Sequence, residues 1–169
     1  MFRPKSSQPP ADDLQSVVPD TKQQRLESQW PGIFRREILP MLLEAEADFA
    51  GLYHGVLGAP NKAVAELLGL LILKEFHDYT DEQTVEAVEF NLQWQYALQL
   101  GLSEAYVCQK TLHNFRHRLV QSEKHQTLFH QLTGQIIDRF GLDTSRQRMD
   151  STHVVGAMNQ LIRLGLFVK

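Results

Sequence analysis

Apolar positions recur at spacings of three and four along most of this chain, the period of an amphipathic helix. Ile33 to Tyr53 places Phe34, Ile38, Leu42, Ala45 and Phe49 in register, with Pro40 expected to kink or split the helix. Lys62 to His77 carries Val64, Leu67, Leu68, Leu70, Leu71, Ile72, Leu73 and Phe76 around nearly its whole circumference, so it is expected to lie buried at the centre of the core. Asn61 is its expected N-cap. Gly69 at its middle costs about 1 kcal/mol relative to alanine, which points to close helix packing there.

Thr80 or Asp81 is expected to cap a further helix running to about Leu100, with Val85, Val88, Leu92 and Tyr96 on one face and Gly101 as its C-terminal cap. Helices over Lys110–Val120 and Glu123–Phe140 follow, the second ended by Gly141. After that the period changes. Thr144 to Val155 reads as a short strand, and Ala157 to Phe167 as one more helix. The fold class is therefore mainly α, a helical bundle followed by one short strand and a helix.

Ahead of the first periodic stretch, Pro4, Pro9, Pro10 and Pro19 punctuate polar sequence with little to bury, and residues 1–30 are expected to form a loose leader. A length of 169 residues suits one ordinary domain, or one domain with part of another. Hydrophobic residues make up 43% and charged residues 22%, which excludes a disordered or fibrous chain. Cys108 is the single cysteine, so no intrachain disulfide forms. No apolar segment resembles a signal peptide, and the longest apolar run, Leu67–Leu73, falls far below the ~20 residues of a membrane helix. A soluble, cytoplasmic protein with no membrane partner is expected. The net charge of −3 hides an asymmetry: residues 61–105 carry −6 and residues 106–148 carry +4. A polyanionic partner would be drawn to the second segment, although a bundle with one acidic and one basic face gives the same numbers.

Candidate chemistry gathers at two places. On the Lys110–Val120 helix, at about 100° per residue, Phe115 and Leu119 fall within ~60° of Leu112 and form a stripe to bury. Lys110, His113, Asn114, His117 and Gln121 gather opposite, with Arg116 and Arg118 flanking the stripe. These residue types reach phosphates and base edges, and the order of helix, Gly101 turn and helix resembles a helix-turn-helix with a longer connection. A solvated basic helix is the competing reading. His113, His117 and Cys108 lack the second cysteine or histidine pair that a structural zinc site needs. The second place is Asp150, on the expected strand, where a carboxylate can hold a divalent ion; one aspartate alone does not make a two-metal site.

Several collinear stretches resemble bacterial insertion-sequence transposases with an InsH-type N-terminal domain. They are Pro60-Asn61-Lys62 through Leu67–Glu75, Tyr79-Thr80-Asp81-Glu82, Phe90–Leu98 and Thr111–Leu119. Arg148-Met149-Asp150-Ser151-Thr152-His153 resembles the start of the DDE catalytic core of these enzymes. The resemblance implies a helical N-terminal domain over 31–144 and, over 145–169, the start of an incomplete ribonuclease-H-like core. It implies binding of the terminal inverted repeats of a mobile element, with DNA cut and rejoined by two Asp and one Glu holding Mg²⁺. Asp150 would be the first of those acids and a metal ligand. None of the 19 residues after it is Asp or Glu, so the chain is read as a truncated transposase, inactive by itself and retaining no Mg²⁺ alone. Lys110, His113, Asn114, Arg116, His117 and Arg118 are the expected DNA contacts. Two other roles stay open at this point. One is a protein-interaction module that dimerises or poisons a full-length transposase, suggested by the acidic 61–105 segment. The other is a free-standing helix-turn-helix regulator.

Overall fold

A helix that is apolar on every side has to be surrounded, and the first half of helix α5 (Val64–His77) is, whereas Phe76, expected in the core, is 69% exposed near its C-terminal end. Every residue from Val64 to Leu70 is buried, as is Leu73, and the other elements of the unit are arranged around it. The computed structural model describes residues 2–53, 61–122 and 124–141; among these the chain is mainly helical, and its one β-type pairing is an isolated bridge between Asp13 and Gly101. Gly69 lies where Leu98 and Leu42 close on α5, and a Cβ at this position would overlap Leu98 Cδ2. The glycine's propensity cost is thus the condition for this approach.

The cap of α5 differs from expectation. The helix begins two residues later than predicted, with Ala63 at its N-cap, and the Asn61 carboxamide oxygen instead accepts the Arg3 amide at 2.6 Å. The open N-terminus is served from elsewhere in the chain. Glu46 Oε1 accepts the Ala65 amide at 3.1 Å, placing a buried carboxylate against the positive end of the helix. At the other end Asp78 adopts a left-handed conformation (φ 54°), and its amide and that of Tyr79 return to the last carbonyls.

Pro40 acts as expected, but through a change of hydrogen-bond register rather than a break. Helix α3 (Trp30–Ile33) passes into a π-helical turn, Phe34–Ile38, in which Leu39 donates to Phe34 O, before α4 (Leu39–Ala45). Proline has no amide to give, and its ring crowds the carbonyl four residues back; the wider turn absorbs both defects. A 3₁₀ segment, Glu46–Leu52, completes the stretch.

The long helix expected from Thr80 to Leu100 is two helices, α6 (Asp81–Phe90) and α7 (Leu92–Ala97). Thr80 caps the first in a capping box with Gln83. Asn91 interrupts the run, and its Oδ1 accepts the Gln93 amide at 2.9 Å to cap the second. The turn swings Trp94, Tyr96, Ala97 and Leu98 into the core. Gly101 is not a helix cap: α7 ends four residues earlier, and the Asp12 carboxylate lies where a Gly101 Cβ would stand. Helix α8 spans Gln109–Gln121 and α9 spans Lys124–Phe140, the latter followed by Gly141 in the left-handed region (φ 58°).

The expectation of a loose leader is corrected by the structure. Residues 14–17 form α1 and residues 20–28 form α2. Leu14 and Asp13 are buried, and Asp13 makes a two-pronged pair with Arg35, whose guanidinium also lies 4.7 Å from the Tyr96 ring centroid. Farther out, the Lys5 ammonium, 6% exposed, donates to Glu66 Oε1 at 2.8 Å and to the Gln99 carbonyl at 3.0 Å. Its backbone amide donates to Glu46. Few apolar residues are needed to hold such a segment when it supplies the counter-charge for acids already buried. The chain divides into two compact units, residues 1–132 and 133–169. The described part of the second is the end of α9 with Gly141.

Two predictions follow from this packing. Lys5→Met should destabilise the protein by about 3 kcal/mol, because it leaves Glu66 buried with Lys62, at 3.2 Å, as its remaining cation. A urea midpoint unchanged from wild type would refute the anchoring role. His77 ends α5 among Trp30, Phe76, Tyr79 and Trp94, with ring centroids 5.0–5.5 Å away, and burial pushes its pKa below the ordinary value near 6.5. The folded state therefore resists protonation. Its contribution is fully present above about pH 6.5 and is lost as pH falls through the lowered folded value. His77→Phe should flatten melting temperature against pH below about 6.5; an unchanged profile would count against this.

Candidate nucleic-acid interface

Helix α8 owes its orientation to three side chains. Leu112, Phe115 and Leu119 are buried against the core, as the helical wheel requires, and α6 packs alongside. With that stripe inward, Lys110, His113, Asn114, His117 and Arg118 are exposed together on the outward side. The structure therefore brings five of the six expected contact residues onto one solvent face. Lys110 and His117 make no side-chain hydrogen bond or ion pair among the described residues. The Arg118 guanidinium lies 5.1 Å from the centroid of the Tyr53 ring, an anchor that leaves the cation at the surface.

Arg116 is different. It forms a two-pronged hydrogen-bonded pair with Asp81, the first residue of α6, at 2.6 and 2.5 Å. Arg116 holds the Asp81 carboxyl below its usual range, chiefly through these hydrogen bonds, and its own pKa is raised in return. Lys74 of α5 lies 3.9 Å from the same carboxylate. In sequence Asp81 reads only as an acid suited to the positive end of a helix. Its pairing with a residue 35 positions away is a product of how α6 and α8 pack.

The helix-turn-helix-like order needs a similar adjustment. The connection from α7 to α8 runs from Leu98 to Cys108, against the three or four residues of a tight motif. It is itself part of the core, since Leu98, Leu100, Ala105 and Val107 are buried. At its end Cys108 Sγ lies 3.1 Å from Thr111 Oγ1, and this contact pulls the thiol below its usual pKa. The neighbouring helix has the opposite charge: Glu82, Glu86 and Glu89 of α6 are exposed. The charge asymmetry of the sequence is thus an asymmetry of faces.

Asp150 lies outside the described residues, as do the expected strand over 144–155 and the helix over 157–167. Among the described residues no three His, Cys, Asp or Glu side chains converge on one point, so this part of the chain builds no cage for Mg²⁺. Nor is any helix there long and apolar enough to cross a membrane.

This helical unit is matched from the residues just before α2 into α8. Residues 18–118 match the family described as a transposase domain (DUF772), and the chain belongs to that family. Its role is accordingly transposase-related. The match includes all six expected contact residues of α8, Arg118 being its last position, together with Asp81. No curated protein and no solved structure matches the chain.

If the apolar stripe alone docks α8, stability should separate the two kinds of contact. Leu112→Ala should cost about 2–5 kcal/mol. Asp81→Asn, which breaks a pair about one-third exposed on both sides, should cost no more than about 1 kcal/mol. Chemical denaturation of both variants checks this, and equal losses would show that the ion pair helps to hold the helix.

Proposed function

We propose that this chain is the N-terminal part of an insertion-sequence transposase of the InsH type, and that α8 presents its DNA-facing surface. Membership of the transposase-domain family supports the first statement. The observation that carries the second is the exposed set Lys110, His113, Asn114, His117 and Arg118, held outward by a buried stripe on the same helix. Lysine and arginine neutralise phosphates, asparagine and histidine hydrogen-bond to backbone or base edges, and the diameter of an α-helix matches the width of a major groove. The partner is duplex DNA at the element's terminal inverted repeats. Other copies of the chain or a full-length transposase are proposed partners in assembly, in the cytoplasm.

Cutting and rejoining belong, in this reading, to a ribonuclease-H-like core in which acids hold Mg²⁺. Asp150 is the candidate first acid within this sequence, and no catalytic step is assigned to the helical unit. The DNA-facing reading is tested by fluorescence anisotropy of a short random-sequence duplex over a range of salt concentrations. Wild type should lose affinity linearly in log–log form, and Lys110→Ala should reduce the magnitude of the slope by about 0.9, one phosphate contact. Absence of binding at low salt, or a slope indifferent to Lys110, would overturn the assignment of α8.

A further inference from the structure

The Asp81–Arg116 pair stands at the edge of the exposed α8 face, and its chemistry is unusual for that position. Arginine is the side chain best shaped to grip a phosphate, through two parallel N–H donors. Here both prongs are already taken by a carboxylate, which presents nearly the same pair of acceptor oxygens. The rotation of the helix has its own determinant in Leu112, Phe115 and Leu119, which are buried. Nor is it deeply sequestered: the two side chains are 35% and 29% exposed. It lies within the reach of an external anion, and Arg116 is one turn from both His113 and Val120 on α8.

Building on the reading that α8 faces DNA, we infer that Asp81 masks Arg116, occupying as an internal carboxylate the place that a DNA phosphate would take. The pairing withdraws one cation from the face and sets one anion beside it. The effect is on affinity: an internal partner at high effective concentration is displaced only where the incoming phosphate is well placed. A duplex met at random is therefore held by the free cations alone. The lowered pKa of Asp81 keeps the carboxylate charged, and so keeps the mask on, throughout the neutral range.

The test is a double-mutant cycle on the full chain, read by salt-dependent anisotropy with the same random-sequence duplex. Asp81→Asn should bind more tightly, with a slope steeper by about 0.9, so that it loses about three- to fourfold more affinity than wild type between roughly 50 and 200 mM salt. Arg116→Ala alone should leave the wild-type slope unchanged. In the Arg116→Ala background, Asp81→Asn should give no steepening of slope, and this double variant has the wild-type net charge. A gain that persists without Arg116 would mean that Asp81 acts only through bulk charge, and would overturn the mask. So would weaker binding by Asp81→Asn in a protein of normal stability. Binding that depends on Lys110 but shows no Arg116-dependent gain sinks the mask alone. Loss of binding in every variant, wild type included, sinks both the mask and the DNA-facing reading on which it rests.

Discussion

The burial of the first two turns of α5 on all sides is the constraint from which the rest of the unit follows. A 14-residue helix with seven consecutive buried residues at its start must be enclosed by several neighbours at once. It also carries Glu66 into the interior. An ionised carboxylate there has to meet a cation, and the cations come from Lys62, one turn back, and from Lys5, far away in sequence. The same enclosure brings Glu46 to the open end of the helix and Leu98 onto Gly69. Core, cap and N-terminal segment are therefore consequences of one buried element.

The outward face of α8 depends on that element too. Its stripe packs into the cluster that surrounds α5, and the stripe leaves no freedom in which residues look outward. A surface of cations on a rigid helix is thus a product of the apolar residues on its other side. The acidic face of α6 and the basic face of α8 lie on neighbouring helices, and Asp81 and Arg116 join them where the two signs meet. In a chain of net charge −3, this separation makes one surface suited to a polyanion.

Periodicity revealed most of the helices, because the apolar spacing that a helix needs is local. The buried stripe of α8, its exposed face and the central place of α5 could all be read from it. What could not be read was set by partners distant in sequence. Asn61 looks like a cap, but Arg3 takes its oxygen, and Glu46, which lies in a different segment, does the capping. The leader has few apolar residues, yet the Lys5 and Asp13 side chains are buried. A signal was present: Glu66 inside an otherwise apolar helix demands a distant cation. Asn91 was a signal of another kind, a strong capping residue in the middle of an apparently continuous helix. Arg116 appeared to be one of six equivalent contacts because its acid is contributed by another helix.

The strap formed by residues 2–13 has a bearing on how the chain acquires its structure. Its hydrogen bonds are among the longest in sequence separation that the unit makes: 61 positions from Lys5 to Glu66, 94 to Gln99, and 91 from Asp12 to Ser103. The segment is made well before the partners it binds and has to wait for them. The helices of the core close shorter loops and can form before it, since loop closure and long-range contact set the slower steps of folding. Until Gln99 has emerged, Lys5 lacks the carbonyl that helps to hold its ammonium beside Glu66. This strap, although earlier in sequence than the core helices, is in this sense the last piece of the unit to find its place.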